Sequence, residues 1–237
     1  MNILITGASS GIGKSLVEHL TKKGNIVWGI GRRKESFPIR NFTYSSRDVQ
    51  DIRQLKSLKT KMDKSGFHPD VIILAAGIFN NDLSPSFSIE KFKETFNVNL
   101  FGGLNVISLF LPEFLRKRSG QFIALSSISA FRPNKNGIAY PSSKSALSLA
   151  FRGLDLEYRK KGVCFSNIYL GPVNTSMWEG KKSFLVITPE KAAKLISKTI
   201  KTKKSNSYLP FLSTSLFKIS RIIPDKLYSY LSENFIK

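Results

Sequence analysis

Asn2-Ile3-Leu4-Ile5-Thr6-Gly7-Ala8-Ser9-Ser10-Gly11-Ile12-Gly13 opens the chain, and the fold is decided by how this stretch is read. A short apolar run without charge reads as a buried strand, and it leads directly into a turn with three glycines and then a segment of helical period. In that setting each glycine has a task. Gly7 permits a tight turn, Gly11 lets backbone approach a pyrophosphate, and Gly13 allows close helix packing, while exposed amides and the helix dipole attract phosphate. The stretch predicts a dinucleotide site, and the competing reading is a glycine-rich turn without a ligand.

Working outward, short apolar runs alternate with longer stretches of helical period, the pattern of βαβ units around a parallel sheet. Six strands are expected, at residues 2–6, 26–30, 42–44, 71–75, 121–125 and 163–169, each rich in β-branched or aromatic residues. Helices are expected at 13–23, 51–65, 89–116, 142–161 and 189–202, the last with Thr188 as N-cap and Pro189 in its first turn. No linker or repeat interrupts the series. The reading is α/β, one doubly wound parallel sheet with helices on both faces, spanning residues 1–237 as a single domain in which 203–237 form a C-terminal extension. Its ligand crevice should lie beyond the carboxyl ends of the strands, where the winding reverses.

Composition narrows the function classes. The formal net charge of +21 would point first to nucleic acid or an anionic membrane, but the excess is spread along the chain rather than gathered in a tail. The single cysteine, Cys164, excludes an internal disulfide and a cysteine-based metal site. With His19 and His68 the only histidines, the chain reads as having neither a zinc centre nor a Ser-His-Asp triad. Met1 leads into the first strand with neither a charged leader nor a long apolar segment, and the longest apolar run, 71–79, is about half of the ~20 residues that a spanning helix needs. These features predict a soluble, cytoplasmic protein.

An NAD-selective site would place a carboxylate after the second strand, to hold the adenosine ribose hydroxyls. The chain has Ile30-Gly31-Arg32-Arg33-Lys34 there. Guanidinium groups suit a ribose 2′-phosphate, so NADP(H) is favoured over NAD(H), led by Arg32 with Arg33 beside it. Lys14 is a weaker candidate, and the plainer alternative is a solvated basic loop in a generally basic protein.

Tyr140-Pro141-Ser142-Ser143-Lys144 forms a Tyr-x-x-x-Lys, but with 7 tyrosines in a lysine-rich chain one such match is expected by chance. Its position in an ordered set is what counts. The glycine turn, Asn97-Val98-Asn99-Leu100, Ser126-Ser127 and then Tyr140 with Lys144 together resemble the short-chain dehydrogenase/reductase family, single-domain type, over residues 1 to about 200. The resemblance implies a Rossmann-like fold and hydride transfer between a nicotinamide and a carbonyl or alcohol substrate. It implies a catalytic tetrad of Asn99, Ser127, Tyr140 and Lys144, with Asn99 at a helix irregularity and holding a water that links Lys144 to solvent. It further implies cofactor contacts from Thr6, Gly7, Ser9, Ser10, Gly11, Ile12, Gly13, Arg32, Arg33, Asp48, Val49, Ala76, Gly77, Tyr140, Lys144, Gly171, Val173 and Thr175. A homodimer or homotetramer is implied too, and the apolar residues on more than one face of 89–115 and 139–156 fit that.

The residue types suit this chemistry. A phenol with an ordinary pKa of about 10 needs a cation to stabilise its phenolate, and residues four apart on a helix share a face, so Lys144 can serve Tyr140. Three departures from the family pattern stand out: Ala75-Ala76-Gly77 where the family has Asn-Ala-Gly, Leu170-Gly171-Pro172 where it has Pro-Gly, and Ser10 where many NADP users carry a basic residue. Residues 176–187, with Met177, Trp178, Phe184 and Leu185, fall where the family has its substrate loop. Those side chains, like Phe79 and Phe131, suit either an apolar substrate or a cap on the core. The tail, residues 212–231, mixes apolar residues with Lys218, Arg221 and Lys226, and is expected to dock on the protein; the alternative is a helix at a membrane surface. An idle nucleotide-binding regulatory or scaffold protein of the same fold is the competing function. No part of the sequence specifies the substrate.

Overall fold

Along β1 (Asn2–Thr6) successive side chains point to opposite faces, so Ile3 and Ile5 enter one apolar layer and Leu4 the other. In the computed structural model, which describes residues 1–34, 38–132, 137–177, 185–211, 214, 223–224 and 226–228, the same alternation recurs in β4 (Val71–Leu74) and β5 (Gly120–Ser127). The first layer packs on α1 (Gly11–Lys22) and α6 (Pro189–Thr202). The second packs on α2 (Ile52–Lys64), α4 (Gly102–Lys117) and α5 (Ala139–Tyr158), with Phe114, Phe122, Phe151 and Phe165 fully buried.

With β2 (Ile26–Gly31), β3 (Phe42–Ser46), β6 (Val163–Leu170) and β7 (Asn206–Leu209), the sheet has seven parallel strands in the order β3-β2-β1-β4-β5-β6-β7. The winding reverses between β1 and β4, which places the crevice above their carboxyl ends. Thr188 caps α6 by accepting from the Lys191 amide, with Pro189 in the first turn, as the sequence predicts.

Three expectations need correction. The sheet has a seventh strand, β7, which is short and partly polar and becomes a strand only through its pairing with β6. The helix expected to begin at 142 begins at Ala139, so Tyr140 lies inside its first turn. The long middle helix is not uniformly α-helical but runs as α3 (Ile89–Phe96), a π-helical segment Asn97–Phe101 and α4, with the irregularity at Asn99 that the resemblance implies. By length and composition the run Ile89–Lys117 is apolar enough to cross a membrane, with a mean hydropathy of 1.5 over its most apolar stretch, although Asn99, Asn105 and Ser108 leave it no long continuous apolar run. Val106, Ile107, Phe110 and Phe114 on this run pack on the sheet, the arrangement of a core helix. Trp178, Phe184 and most of 212–231 lie outside the described residues.

Asp63, His68 and Glu113 bring their ligand atoms within 4.8 Å of one another, close enough to hold a metal ion. Lysines already occupy it: Lys117 lies 2.6 Å and Lys59 3.2 Å from the Glu113 carboxylate. Burial alone would push this carboxyl up, but hydrogen bonds and charge contacts with Lys117 and Lys59 outweigh it and hold the pKa down at about 2. The resulting stability is present above the ordinary value of 4.5 and is lost as pH falls toward 2. Urea unfolding of wild type and Glu113→Gln should therefore show a difference that shrinks by about 3 kcal/mol from pH 5 to pH 2.

Candidate active site

At the end of β1 the backbone reverses at Gly7 with φ +68, and a Cβ there would lie 2.8 Å from the backbone of Ala76. A Cβ at Gly13 would lie 2.0 Å from the Gly7 carbonyl oxygen, so the turn and helix can touch only as glycines. Ser10 is the N-cap of α1 but its side chain makes no cap hydrogen bond, and the first turn carries no acidic residue. The amides of this turn are thus left for an anion, which is the arrangement a pyrophosphate fits. Ser9 Oγ lies next to Gly31, 3.2 Å from where a Cβ would stand, and Thr175 closes over Gly11 at 3.3 Å by the same measure.

Beyond β2, Arg32, Arg33 and Lys34 are exposed. Hydroxyls of β3 hold their backbone: Ser46 donates to the Arg32 carbonyl and Tyr44 to that of Arg33, both at 3.0 Å. A third guanidinium, Arg47, stands at the end of β3, where its amide donates to Gly31 O at 2.8 Å and its Nη1 to Ser46 O at 2.7 Å. Its Nε is buried without a hydrogen-bond partner. The sequence reading passed over Arg47, although its place just before Asp48 was a usable signal. The Asp48 carboxylate accepts from the Gln50 amide at 3.0 Å, and buried Val49 packs against Gly102 at the start of α4.

At the switch point Thr6 Oγ1 accepts from the Ala76 amide at 3.0 Å, tying β1 to β4 beside the alanine that replaces the family's asparagine. Asn99, 2% exposed, is carried by the π-helical segment. Its Oδ1 accepts from the Ile78 amide at 2.8 Å, while Nδ2 donates to the Ile78 carbonyl and to Ser143 Oγ, both at 3.0 Å. Ser143 in turn donates to the Tyr140 carbonyl at 2.8 Å. Ile78 and Ser143 gave no sequence signal, because their role depends on this contact.

Tyr140 and Lys144 share one face of α5, with Lys144 Nζ 5.6 Å from the centre of the tyrosine ring. Lys144 is 5% exposed and donates to the Leu125 carbonyl at 2.8 Å. Gly77 leaves room beside it: a Cβ there would stand 3.3 Å from Asn99 Oδ1 and 3.5 Å from Lys144 Nζ. Burial pushes the Tyr140 phenol up from 10, and a hydrogen bond with Ser127 acts in the opposite direction. Burial also lowers the Lys144 ammonium to about 8, which leaves it mostly charged at neutral pH. Phe79 meets the Tyr140 ring edge-on at 5.7 Å, whereas Phe131 packs against Tyr169 and Tyr208. Beyond β6, the Gly171 amide donates to Leu209 O at 2.9 Å, and Val173 bridges to Ile187. Contacts beyond the carboxyl ends of the central strands therefore join Gly7 to Ala76, Gly77 to Asn99 and Lys144, and Tyr140 to Lys144 and Ser127, while Arg32 and Arg33 follow β2 on the other side of β1.

This fold and site define a nucleotide-binding α/β enzyme, and comparison with known proteins narrows the class. The short chain dehydrogenase family matches residues 1–185. An uncharacterized oxidoreductase of Staphylococcus epidermidis is 30% identical over 184 residues, covering 75% of this chain and 80% of the relative. A fatty acyl-CoA reductase of Acinetobacter baylyi is 28% identical over 242 residues, covering 95% and 82%. Among solved structures, a short chain dehydrogenase from Burkholderia cenocepacia in complex with NADP superposes with a TM-score of 0.83 at 19% identity, covering 97% of this chain and 96% of that one. A 4-hydroxyisoleucine dehydrogenase complexed with NADH gives 0.78 at 22% identity, covering 88% and 96%. The chain belongs to the short-chain dehydrogenase family and is an oxidoreductase of that family.

The lowered Lys144 value has a stability consequence. Below about 8 both folded and unfolded chains carry the proton, and the folded state bears the full cost of a buried charge; between 8 and 10.5 the unfolded chain binds more protons, so stability rises with pH. Lys144→Met should lack this rise, and denaturant titrations from pH 7 to 10.5 should show the wild type gaining about 3 kcal/mol relative to the variant.

Proposed function

We propose that the protein is an NADP(H)-dependent oxidoreductase that interconverts a carbonyl and an alcohol, with Asn99, Ser127, Tyr140 and Lys144 as its working group. The observation that carries this reading is the meeting of Ser127, Tyr140 and Lys144 beside the glycine turn, at the reversal of the sheet. The nicotinamide cofactor supplies or accepts the hydride. Its pyrophosphate would rest on the amides of residues 9–13, with Thr6, Ala76, Gly77, Gly171, Val173 and Thr175 around the rest. Asp48 and Val49 would flank the adenine, and Arg32 and Arg33 would hold the ribose 2′-phosphate.

Tyr140 gives or takes the proton at its phenol oxygen, and Ser127 hydrogen-bonds the same substrate oxygen. Lys144 holds positive charge behind the phenol and offsets the burial that disfavours the phenolate. Asn99 holds the loop after β4 and the first turns of α5 in one arrangement. Its side chain is engaged by Ile78 and Ser143, so this side chain acts here as a clamp.

Leu149 and Leu156 on α5, 67% and 86% exposed, lie four and three residues from Gly153, where the surface is open. Such an apolar stripe suits a homodimer or homotetramer through this helix. The C-terminal extension is proposed to pack beside the substrate side of the crevice: Arg132 donates to the Ile223 carbonyl, and its guanidinium lies 4.7 Å over the Tyr228 ring.

The test is NADPH and NADH turnover on a panel of ketones, aldehydes and fatty acyl thioesters, the last included because of the acyl-CoA reductase relative. Tyr140→Phe should lower kcat by at least about 100-fold with cofactor affinity retained. Arg32→Ala should lower NADPH affinity by about 10- to 100-fold and leave NADH affinity unchanged, the scale of one charge-assisted hydrogen bond. Turnover that survives Tyr140→Phe would reject the assignment.

A further inference from the structure

Asp82 lies in the loop between β4 and α3 and is completely buried, with 0% exposure. Its two carboxylate oxygens accept from the Ala139 amide at 3.3 and 3.2 Å, across 57 residues of sequence. Ala139 is the first residue of α5, the helix that carries Tyr140 and Lys144. This helix has no cap of its own. Its N-cap position is Ile138, which makes no side-chain cap bond; its first turn has no acidic residue, and Pro141 has no N–H to offer. Asp82 thus provides from a distant loop what Ser88 and Thr188 provide locally to α3 and α6. Its charge also suits the positive end of the helix dipole.

The approach is close. Gly137 has φ +157, and a Cβ there would lie 2.6 Å from Asp82 Oδ1 and 3.2 Å from the Asn80 carbonyl oxygen. The loop is tied down in turn, since the Ser88 amide donates to Asp82 O at 2.9 Å, and Lys91 Nζ donates to the carbonyls of Asn81 and Ser84 at 3.1 and 3.2 Å. Tyr140 therefore sits between two anchored positions: Ala139 held by Asp82 of this loop, and Ser143 held by Asn99 of the π-helical segment, which also grips Ile78 of the same loop.

We infer that Asp82 is a positioning residue for the reaction, fixing the first turn of α5 and through it the direction of the Tyr140 phenol toward Ser127. The inference rests on the proposed role of Tyr140. Full-length Asp82→Ala, Asp82→Asn, Gly137→Ala and Tyr140→Phe are compared with wild type in three measurements: kcat and KM on the fastest carbonyl compound of the panel, NADPH affinity by fluorescence titration, and hydrogen exchange over residues 137–144 with NADPH present. Rates are expressed per NADPH-binding site, so unfolded protein does not count.

Asp82→Ala and Gly137→Ala should lower kcat by about 10- to 100-fold, the scale of a small misplacement of a reacting group, and should speed exchange over 137–144. NADPH affinity should stay within about two-fold. Asp82→Asn keeps an oxygen acceptor for the Ala139 amide and should restore most of kcat. A kcat in Asp82→Ala equal to that of wild type, or a loss shared in full by Asp82→Asn, overturns the inference while an inactive Tyr140→Phe leaves the function standing. Turnover retained in Tyr140→Phe removes the reading beneath both.

Discussion

The site depends on one buried amide. Asn99 makes three hydrogen bonds to groups that belong to two other segments, the loop after β4 and the helix α5. A buried amide left unpaired costs about 1–3 kcal/mol, so the three partners are held together by a penalty for separating them. The π-helical segment matters for the same reason. Inserting a π turn between α3 and α4 changes the direction of the side chain at residue 99 while the rest of the helix keeps its apolar face on the sheet. Core packing and site geometry are met by one helix because its regularity is interrupted at that point.

Electrostatics divides the crevice into two regions. Around Tyr140 and Lys144 burial opposes both charged forms, and a charge that appears there is felt strongly because little water screens it. Around Arg32 and Arg33 the side chains are exposed, and their field is weakened by salt within about a Debye length. Proton transfer suits the first region and recognition of a phosphate the second. The sheet separates them: β2 and β3 carry the cations to one side of β1, and β5 with α5 carries the hydroxyls to the other. The basic coat of the whole chain adds a general attraction for an anionic cofactor.

Much of this was legible in the chain before any coordinates. Buried parallel strands read as continuous apolar runs, so β1 and five others were recognisable, as was α6 with its Thr188 cap. The glycine turn could be read because Gly7 and Gly13 meet sterically within one short segment. The edge strand β7 could not, since Asn206 to Leu209 have no apolar alternation and pair only because β6 lies beside them. Arg47 was legible only by its place just before Asp48; in a basic chain the residue type adds little, and the burial of its Nε is a tertiary fact.

By itself the sequence determined the order of six of the strands and of the helices between them, the glycine turn after β1, and the residue types that can move a proton, because these follow from local sterics and spacing. Only the tertiary structure decided which groups meet. It joined Asn99 to Ile78 and Ser143, Thr6 to Ala76, and Asp82 to Ala139, contacts between segments as many as 70 residues apart. Such pairings follow from the packing of helices on a sheet, and buried polar groups find these partners only once packing has removed water from around them.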